Sequence, residues 1–348
     1  MSRSRVFRGG IAAMVLAVVA AAPLTAVTVQ GLGATVTVPR NSSNALAGAI
    51  AAAGPGGTVL LAPGYHYESE TVWISIPITI LGQRGATLVS TSSPGAAFPI
   101  EVNPALHVSG TSGVTIKGLE LRPHGEGDGN TAILIQNAAD TLVEANFIRR
   151  FQYGVILQHA YRTEISRNTI AVSGLWRTGA VPDAEGVMNI NGTGTNIHDN
   201  RISNAVFGIF ASDAGGRIFG NTLTNSAVGL ILCKVPYGAL EIADEYEGAN
   251  ATATGWIVSQ NYASGNQWGY LVIDEAHANS LWNNAGAGNL LYDVELAGDS
   301  MRFGFPTPKS HDNAVVIGAF RDMKVKNCGA NNTVSGGTLV DTSVDPCF

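Results

Sequence analysis

The chain is poor in charge, in aromatic rings and in cysteine. Of its 348 residues, 13% are charged and 7% are aromatic, against 45% hydrophobic. That much apolar content excludes a solvating, disordered chain. Three cysteines, Cys233, Cys328 and Cys347, are too few for a disulfide scaffold or a four-ligand zinc site. With 20 Lys and Arg against 26 Asp and Glu, the net charge of −6 argues against nucleic acid as a partner, because phosphate binding wants a basic footprint. The seven histidines are scattered, with no pair at strand or helix spacing, so no metal site is expected. Neither Gly-x-Ser-x-Gly nor a phosphate loop occurs. Gly125-Glu126-Gly127-Asp128-Gly129 reads as an acidic turn before it reads as a calcium loop, and no cofactor is expected.

Long apolar runs are also scarce. The one at the start, Ile11 to Leu24, follows Arg3, Arg5 and Arg8 and contains Pro23. This is the layout of an export signal with cleavage after Ala26, and the run is shorter than the ~20 residues that span a bilayer. The expected mature chain is residues 27–348, one domain, secreted or periplasmic. Loss of three Arg takes its formal charge from −6 to −9. In an oxidising compartment a bridge between Cys328 and Cys347 would fasten the chain end, contributing about 3 kcal/mol. Spacing alone leaves that pairing open. Cys233 is then the odd thiol, and a small buried side chain is its simplest role.

What the chain has in abundance is glycine (42) and asparagine (25), and both recur. A Gly opening an apolar triplet stands at Gly154, Gly186, Gly208, Gly229 and Gly269, with spacings of 32, 22, 21 and 40. An Asn-x-apolar mark stands at Asn146, Asn168, Asn200, Asn221 and Asn261, with spacings of 22, 32, 21 and 40. The two marks keep step through the irregular gaps, which defines a unit of about 22 residues. Such a unit holds two or three short strands, has too little apolar surface to fold alone, and must stack on its neighbours. Parallel pairing of equivalent strands gives a solenoid rising ~4.8 Å per turn. Asn at a fixed turn position suits this, because it tolerates left-handed backbone and stacked copies can bond to one another. Ser42 to Ala53, apolar at Leu46, Ala49, Ile50 and Ala53, predicts a short helix capping the first rung.

The Gly-apolar triplet and the Asn-x-Ile mark occur together with Gly57-Thr58-Val59-Leu60-Leu61-Ala62-Pro63-Gly64-Tyr65 and Ile78-Thr79-Ile80-Leu81-Gly82. In these features the chain resembles right-handed parallel β-helix proteins of the pectate-lyase-like superfamily, over roughly residues 35 to 345. The resemblance implies an all-β, right-handed parallel β-helix. It implies no single activity, since that superfamily includes lyases, hydrolases, epimerases, tailspikes, adhesins and non-catalytic proteins. The polygalacturonase set of paired Asp with Ser-His-Gly and Arg-Ile-Lys is missing. So are the Arg-x-Pro-x-x-Arg run of pectate lyases and the Asp-Pro-His-Asp of mannuronan epimerases; Arg122-Pro123-His124-Gly125 shares only the centre of the last.

Insertions in a solenoid leave as loops, and those loops carry function. The long spacings place insertions at Gly174 to Glu185 and within Lys234 to Trp256, the latter being either a loop or an extra rung, with further breaks at 123–129 and 301–313. The fifth position after each repeat Gly reads His159, Asn191, Asp213, Lys234 and Asp274, preceded by Asn137. Stacked rungs make these a polar ladder in which Asp213 and Lys234 would pair. The second positions, Ile156, Met188, Phe210, Ile231 and Leu271, should face outward although all are apolar; loops, a second copy of the chain or an apolar ligand would cover them.

Three functions fit. The first is an exported carbohydrate-active protein, a polysaccharide lyase, hydrolase or epimerase working on an extended glycan in a loop-walled groove. Its candidate catalytic residues are His159 or Lys234 as base, with Asp213, Asp183 or Glu185 as acid or charge partner. Trp176, Tyr237, Tyr246 and Trp256 would stack on sugar rings, with Arg177, Asn191 and Asp274 as further binding residues. The second is a non-catalytic surface or periplasmic binding protein that self-associates through the apolar outer column. The third is an enzyme that takes another small ligand into an apolar pocket.

Overall fold

Sequence periodicity translates directly into three parallel sheets wound as a right-handed β-helix. The computed structural model describes residues 33–91, 103–125, 131–179, 183–234, 252–302, 305–318 and 322–347. These belong to one compact unit. Residues 1–26, the expected export leader, lie outside the described residues. Each turn of the coil contributes one strand to each sheet. The turn that contains Leu142–Glu144 (sheet I), Phe147–Arg149 (sheet II) and Tyr153–Gln158 (sheet III) is typical. Sheet I has 12 described strands, sheet II has 10 and sheet III has 11.

Alternation sends one side chain per short strand inward. In sheet I the inward column runs Val59, Ile80, Ile116, Val143, Ile165, Ile197 and Ile218 in register, each fully buried. Every such β-branched side chain stacks on its own kind one rung away and contributes about 1.5–3 kcal/mol through burial.

The asparagine mark is a ladder of buried amides. Asn146, Asn168, Asn200, Asn221, Asn261 and Asn284 bond one to the next at 2.9–3.1 Å, and each also serves the backbone of adjacent rungs. The left-handed residue is the one before each Asn, as at Ala145 (φ 55) and Asp199 (φ 55), rather than the Asn itself as the sequence suggested. A second ladder, Asn279–Asn313–Asn332, carries the same Asn-x-apolar pattern but lies in the turn before the sheet I strands, out of step with the first mark.

The repeat glycine answers a close approach of rungs. A Cβ at Gly208 would sit 2.5 Å from the Gly229 carbonyl oxygen, and one at Gly154 2.4 Å from that of Gly186. At the N-terminal end, the capping helix spans Leu46–Ala53, shorter than expected. Ser42–Ser43 is instead a strand of sheet II, and the first helical amides are capped by the Glu68 carboxylate (Ala45 N 3.1 Å, Leu46 N 3.0 Å). At the other end Cys328 and Cys347 form a disulfide, and buried Lys326 donates to Asp345 at 2.8 Å, which holds the terminal segment against sheet III.

The long insertion after Lys234 replaces no rung. Val228–Leu232 pairs directly with Trp268–Val272, and Arg217–Phe219 with Ile257–Ser259. Insertions therefore flank sheet III on both edges: residues 124–130 and 172–184 precede its strands, and 233–256 and 297–313 follow them.

Candidate functional site

Sheet III has an outer face that solvent does not reach over most of its length. Its outward column runs in register through Trp73, His107, Leu134, Ile156, Met188, Phe210, Ile231, Leu271, Glu295 and Lys326. Leu134 to Leu271 form a second apolar cluster outside the barrel, together with Tyr153, Val228, Ile273 and the free thiol Cys233. The expected outward direction of the second positions is therefore what the register shows, and the face is a covered one.

Two polar groups break into this covered face, one at each edge. At the edge where strands enter, Glu185 begins the strand Glu185–Ile190, so the inserted loop ends one residue earlier than expected. Glu185 is 1% exposed and pairs in register with Tyr153. Burial drives its pKa well above the ordinary carboxyl value, and the charge of Asp183 and the approach of the two carboxyls, close enough for a protonated Glu185 to share its proton, add to the rise. Burial, followed by the charges of Glu185 and Asp183, likewise pushes the Tyr153 phenol up, so it stays protonated. Gln152 braces the pair, its Nε2 donating to the Tyr153 hydroxyl (3.3 Å) and to the Asp183 carbonyl (2.9 Å). One rung back, the Thr131 hydroxyl is buried without a partner. A carboxyl kept protonated near neutral pH, beside a second carboxyl, is equipped to give a proton to a leaving oxygen.

The opposite edge carries the polar ladder. Asn137, His159, Asn191, Asp213 and Asp274 all have left-handed backbone (φ 50, 48, 53, 70 and 56), which Asn, Asp and His adopt more readily than other side chains. The column thus has a turn-forming reason that is independent of ligands. Lys234 does not pair with Asp213. Its Nζ lies 3.8 Å from the Glu275 carboxylate, and Asp274, whose pKa burial pushes up to about 6 against the pull of Lys234, is its other acidic neighbour. Asp213 instead accepts from the amide of Ala214 (2.6 Å). A strand of six residues separates the two edges, which is about 20 Å at ~3.3 Å per residue, so Asp183 and Glu185 do not act on one bond with Lys234, Asp213 or His159.

The aromatic expectations fare differently. Trp256 is fully buried in the core between the sheets, its indole N–H bound to the Asp213 carbonyl at 3.1 Å, a position from which it cannot stack on a ligand. Tyr237 and Tyr246 lie outside the described residues, as does the side chain of Trp176. Arg177 is exposed beside it in the 3-10 turn Leu175–Thr178.

Sequence reasoning missed a second polar row. Trp73, 61% exposed, packs against His107 with ring centroids 4.2 Å apart and ring planes tilted by 39°. His107 Nε2 reaches Gln136 Oε1 at 3.1 Å, and Gln136 Nε2 donates to Gln158 Oε1 at 2.9 Å. The row ends on two buried amides with unmet bonding capacity: Gln158 Nε2, and both polar atoms of Asn191. Trp73, His107 and Gln136 precede the clear repeats, and only the pairing register puts them on one face with Gln158. Among the described residues no three His, Cys, Asp or Glu side chains converge to hold a metal ion.

Comparison with known proteins agrees with the coil. Residues 101–236 match the family described as right handed beta helix region. No curated protein matches the sequence. Among solved structures, the polygalacturonase from Erwinia carotovora ssp. carotovora is 10% identical, with a TM-score of 0.59, over 89% of this chain and 96% of that one. PfbA, a surface adhesin of Streptococcus pneumoniae, is 11% identical with a TM-score of 0.53 over 78% and 71%. A Geobacillus virus E2 ORF18 chain is 14% identical with a TM-score of 0.41 over 81% of this chain, which spans about half (52%) of its length. At such identities the likeness establishes the fold alone, a right-handed parallel β-helix.

Proposed function

We propose that the protein is an exported glycan-processing β-helix that cleaves a glycosidic bond by acid catalysis at Glu185. The observation that carries this reading is a fully buried carboxyl set against a second carboxyl, that of Asp183, on the sheet face that insertions flank on either edge. Burying an ionisable group costs stability, and groups whose pKa is shifted in this way mark sites of chemistry. Glu185 gives its proton to the glycosidic oxygen as the bond to the anomeric carbon breaks. Asp183 stabilises the positive charge that develops on the sugar, and the water that adds to the anomeric carbon returns its proton to the Glu185 carboxylate. Tyr153, held protonated, donates a hydrogen bond to the same substrate. A hydrolase accounts for the site better than a lyase, which requires a cation at the substrate carboxylate. The structural neighbours include a polygalacturonase, which favours glycan as the ligand class. The disulfide and the expected leader at 1–26 favour an oxidising compartment outside the cytoplasm.

The apolar cluster from Leu134 to Leu271 favours a second reading, non-catalytic binding in the manner of a surface adhesin. A reducing-end release screen over neutral and acidic polysaccharides separates the two. Turnover lost in Glu185→Gln at unchanged fold supports hydrolysis, whereas absence of turnover on every polysaccharide sinks it.

A further inference from the structure

We infer that the row Trp73–His107–Gln136–Gln158–Asn191 is a binding subsite for an uncharged sugar chain, so that the glycan processed here is neutral. The inference rests on the carbohydrate reading above and adds the substrate class.

The row is built for oxygen acceptors. Trp73 offers an exposed ring at one end, backed by the imidazole of His107 4.2 Å away. An exposed aromatic face on a rigid sheet stacks on the apolar face of a pyranose ring. From there the hydrogen bonds run in one direction. His107 Nε2 donates to Gln136 Oε1, Gln136 Nε2 donates to Gln158 Oε1, and the Gln158 amide is left with N–H groups that no protein atom accepts. Asn191, on the next rung, adds an amide with both atoms free. Gln158 and Asn191 are 2% and 6% exposed, so their unmet bonds are not traded with bulk water. Hydroxyl and ring oxygens satisfy them.

Charge settles which sugars fit. From Trp73 to Leu271, the outward positions of the described sheet III strands include no Lys or Arg. Lys234, at the turn after its strand, faces Glu275 and Asp274, and Lys326 at the far end is engaged by Asp345. A uronate carboxylate brought onto the row would lose its hydration without a Lys or Arg of those strand positions to replace it, in the field of a chain of net charge −6. Neutral amides and a stacking ring accept hexoses at no such cost.

The test uses the full chain with Glu185→Gln, which retains ligand. It is titrated calorimetrically with hexasaccharides of glucose, mannose and galactose, and with hexasaccharides of galacturonate and mannuronate. At least one neutral oligomer is expected to bind about tenfold or more tighter than any uronate. Trp73→Ala should weaken it by about tenfold and Trp73→Phe should restore most of the loss. Gln158→Leu should weaken binding by about fivefold or more, and it should also lower the denaturation midpoint somewhat, because Gln136 Nε2 loses its acceptor. Uronates binding as tightly as neutral oligomers would overturn the inference, as would neutral binding indifferent to both Trp73→Ala and Gln158→Leu, or no binding of either class. Uronate turnover abolished by Glu185→Gln would sink this inference and leave the hydrolase reading. Tight neutral binding without turnover would do the reverse.

Discussion

Replacing Asn200 by Ala should destabilise the coil more than its position on a turn suggests. Asn200 is 1% exposed. Its Oδ1 accepts both the backbone N–H (2.9 Å) and the Nδ2 (3.0 Å) of Asn168, while its own Nδ2 donates to the Ile165 carbonyl (2.8 Å) and to Asn221 Oδ1 (3.0 Å). Asn168 Nδ2 retains the Val143 carbonyl at 2.9 Å, but its backbone N–H is left with nothing. One orphaned buried amide costs about 1–3 kcal/mol and the three other lost bonds about 1 kcal/mol each, so the total is about 5 kcal/mol. A solenoid holds each rung only through its neighbours, so the deletion should also divide unfolding into two transitions at this rung. Urea denaturation followed by circular dichroism and tryptophan emission reads both effects. Arg201→Ala, an exposed residue one position on, serves as the control and should move the midpoint little. An Asn200→Ala protein within about 1 kcal/mol of the parent, with a single transition, would refute the ladder as the element that couples rungs.

The buried acid sets a pH dependence. Because the folded pKa of Glu185 lies above the ordinary 4.5, its contribution to stability is full below that value and is lost as pH rises through the folded value. Glu185→Gln should therefore match the parent near pH 4 and unfold at a higher temperature near pH 8; equal melting at both would mean that the carboxyl is not held in an apolar site. Two glycines separate close packing from conformational freedom. Gly208→Ala drives a Cβ to 2.5 Å from the Gly229 carbonyl and should cost about 1–3 kcal/mol, whereas Gly48→Ala, in the capping helix with nothing within 4 Å, should gain about 0.5–1 kcal/mol. Denaturation midpoints of the two variants shifting in the same direction would contradict this distinction.

The coil itself was legible in the sequence because its physics repeats. A Gly where rungs approach too closely for a Cβ, an Asn where amides stack, and an apolar residue at each inward position recur at the period of the rung. The outward direction of Ile156, Met188 and Phe210 also followed from alternation alone. Pairings across insertions were less accessible. Register alone decided that Lys234 faces Glu275 and not Asp213, because the choice depends on how the chain returns to the sheet after an insertion of variable length. The burial of Trp256 was hidden for the same reason, since it falls in the first turn after that insertion, where the repeat offers no count to follow.

Sequence by itself determined the architecture, one polar ladder at the strand ends and the identity of Asp183 and Glu185 as candidates. Only the tertiary structure decided that these two share a site with Tyr153 and lie about 20 Å from the polar ladder, and that Trp73, His107, Gln136 and Gln158 form one row. Local spacing records which way a side chain points. Which residues meet is set by the pairing of distant strands, and the burial that shifts Glu185 exists only once those strands have assembled.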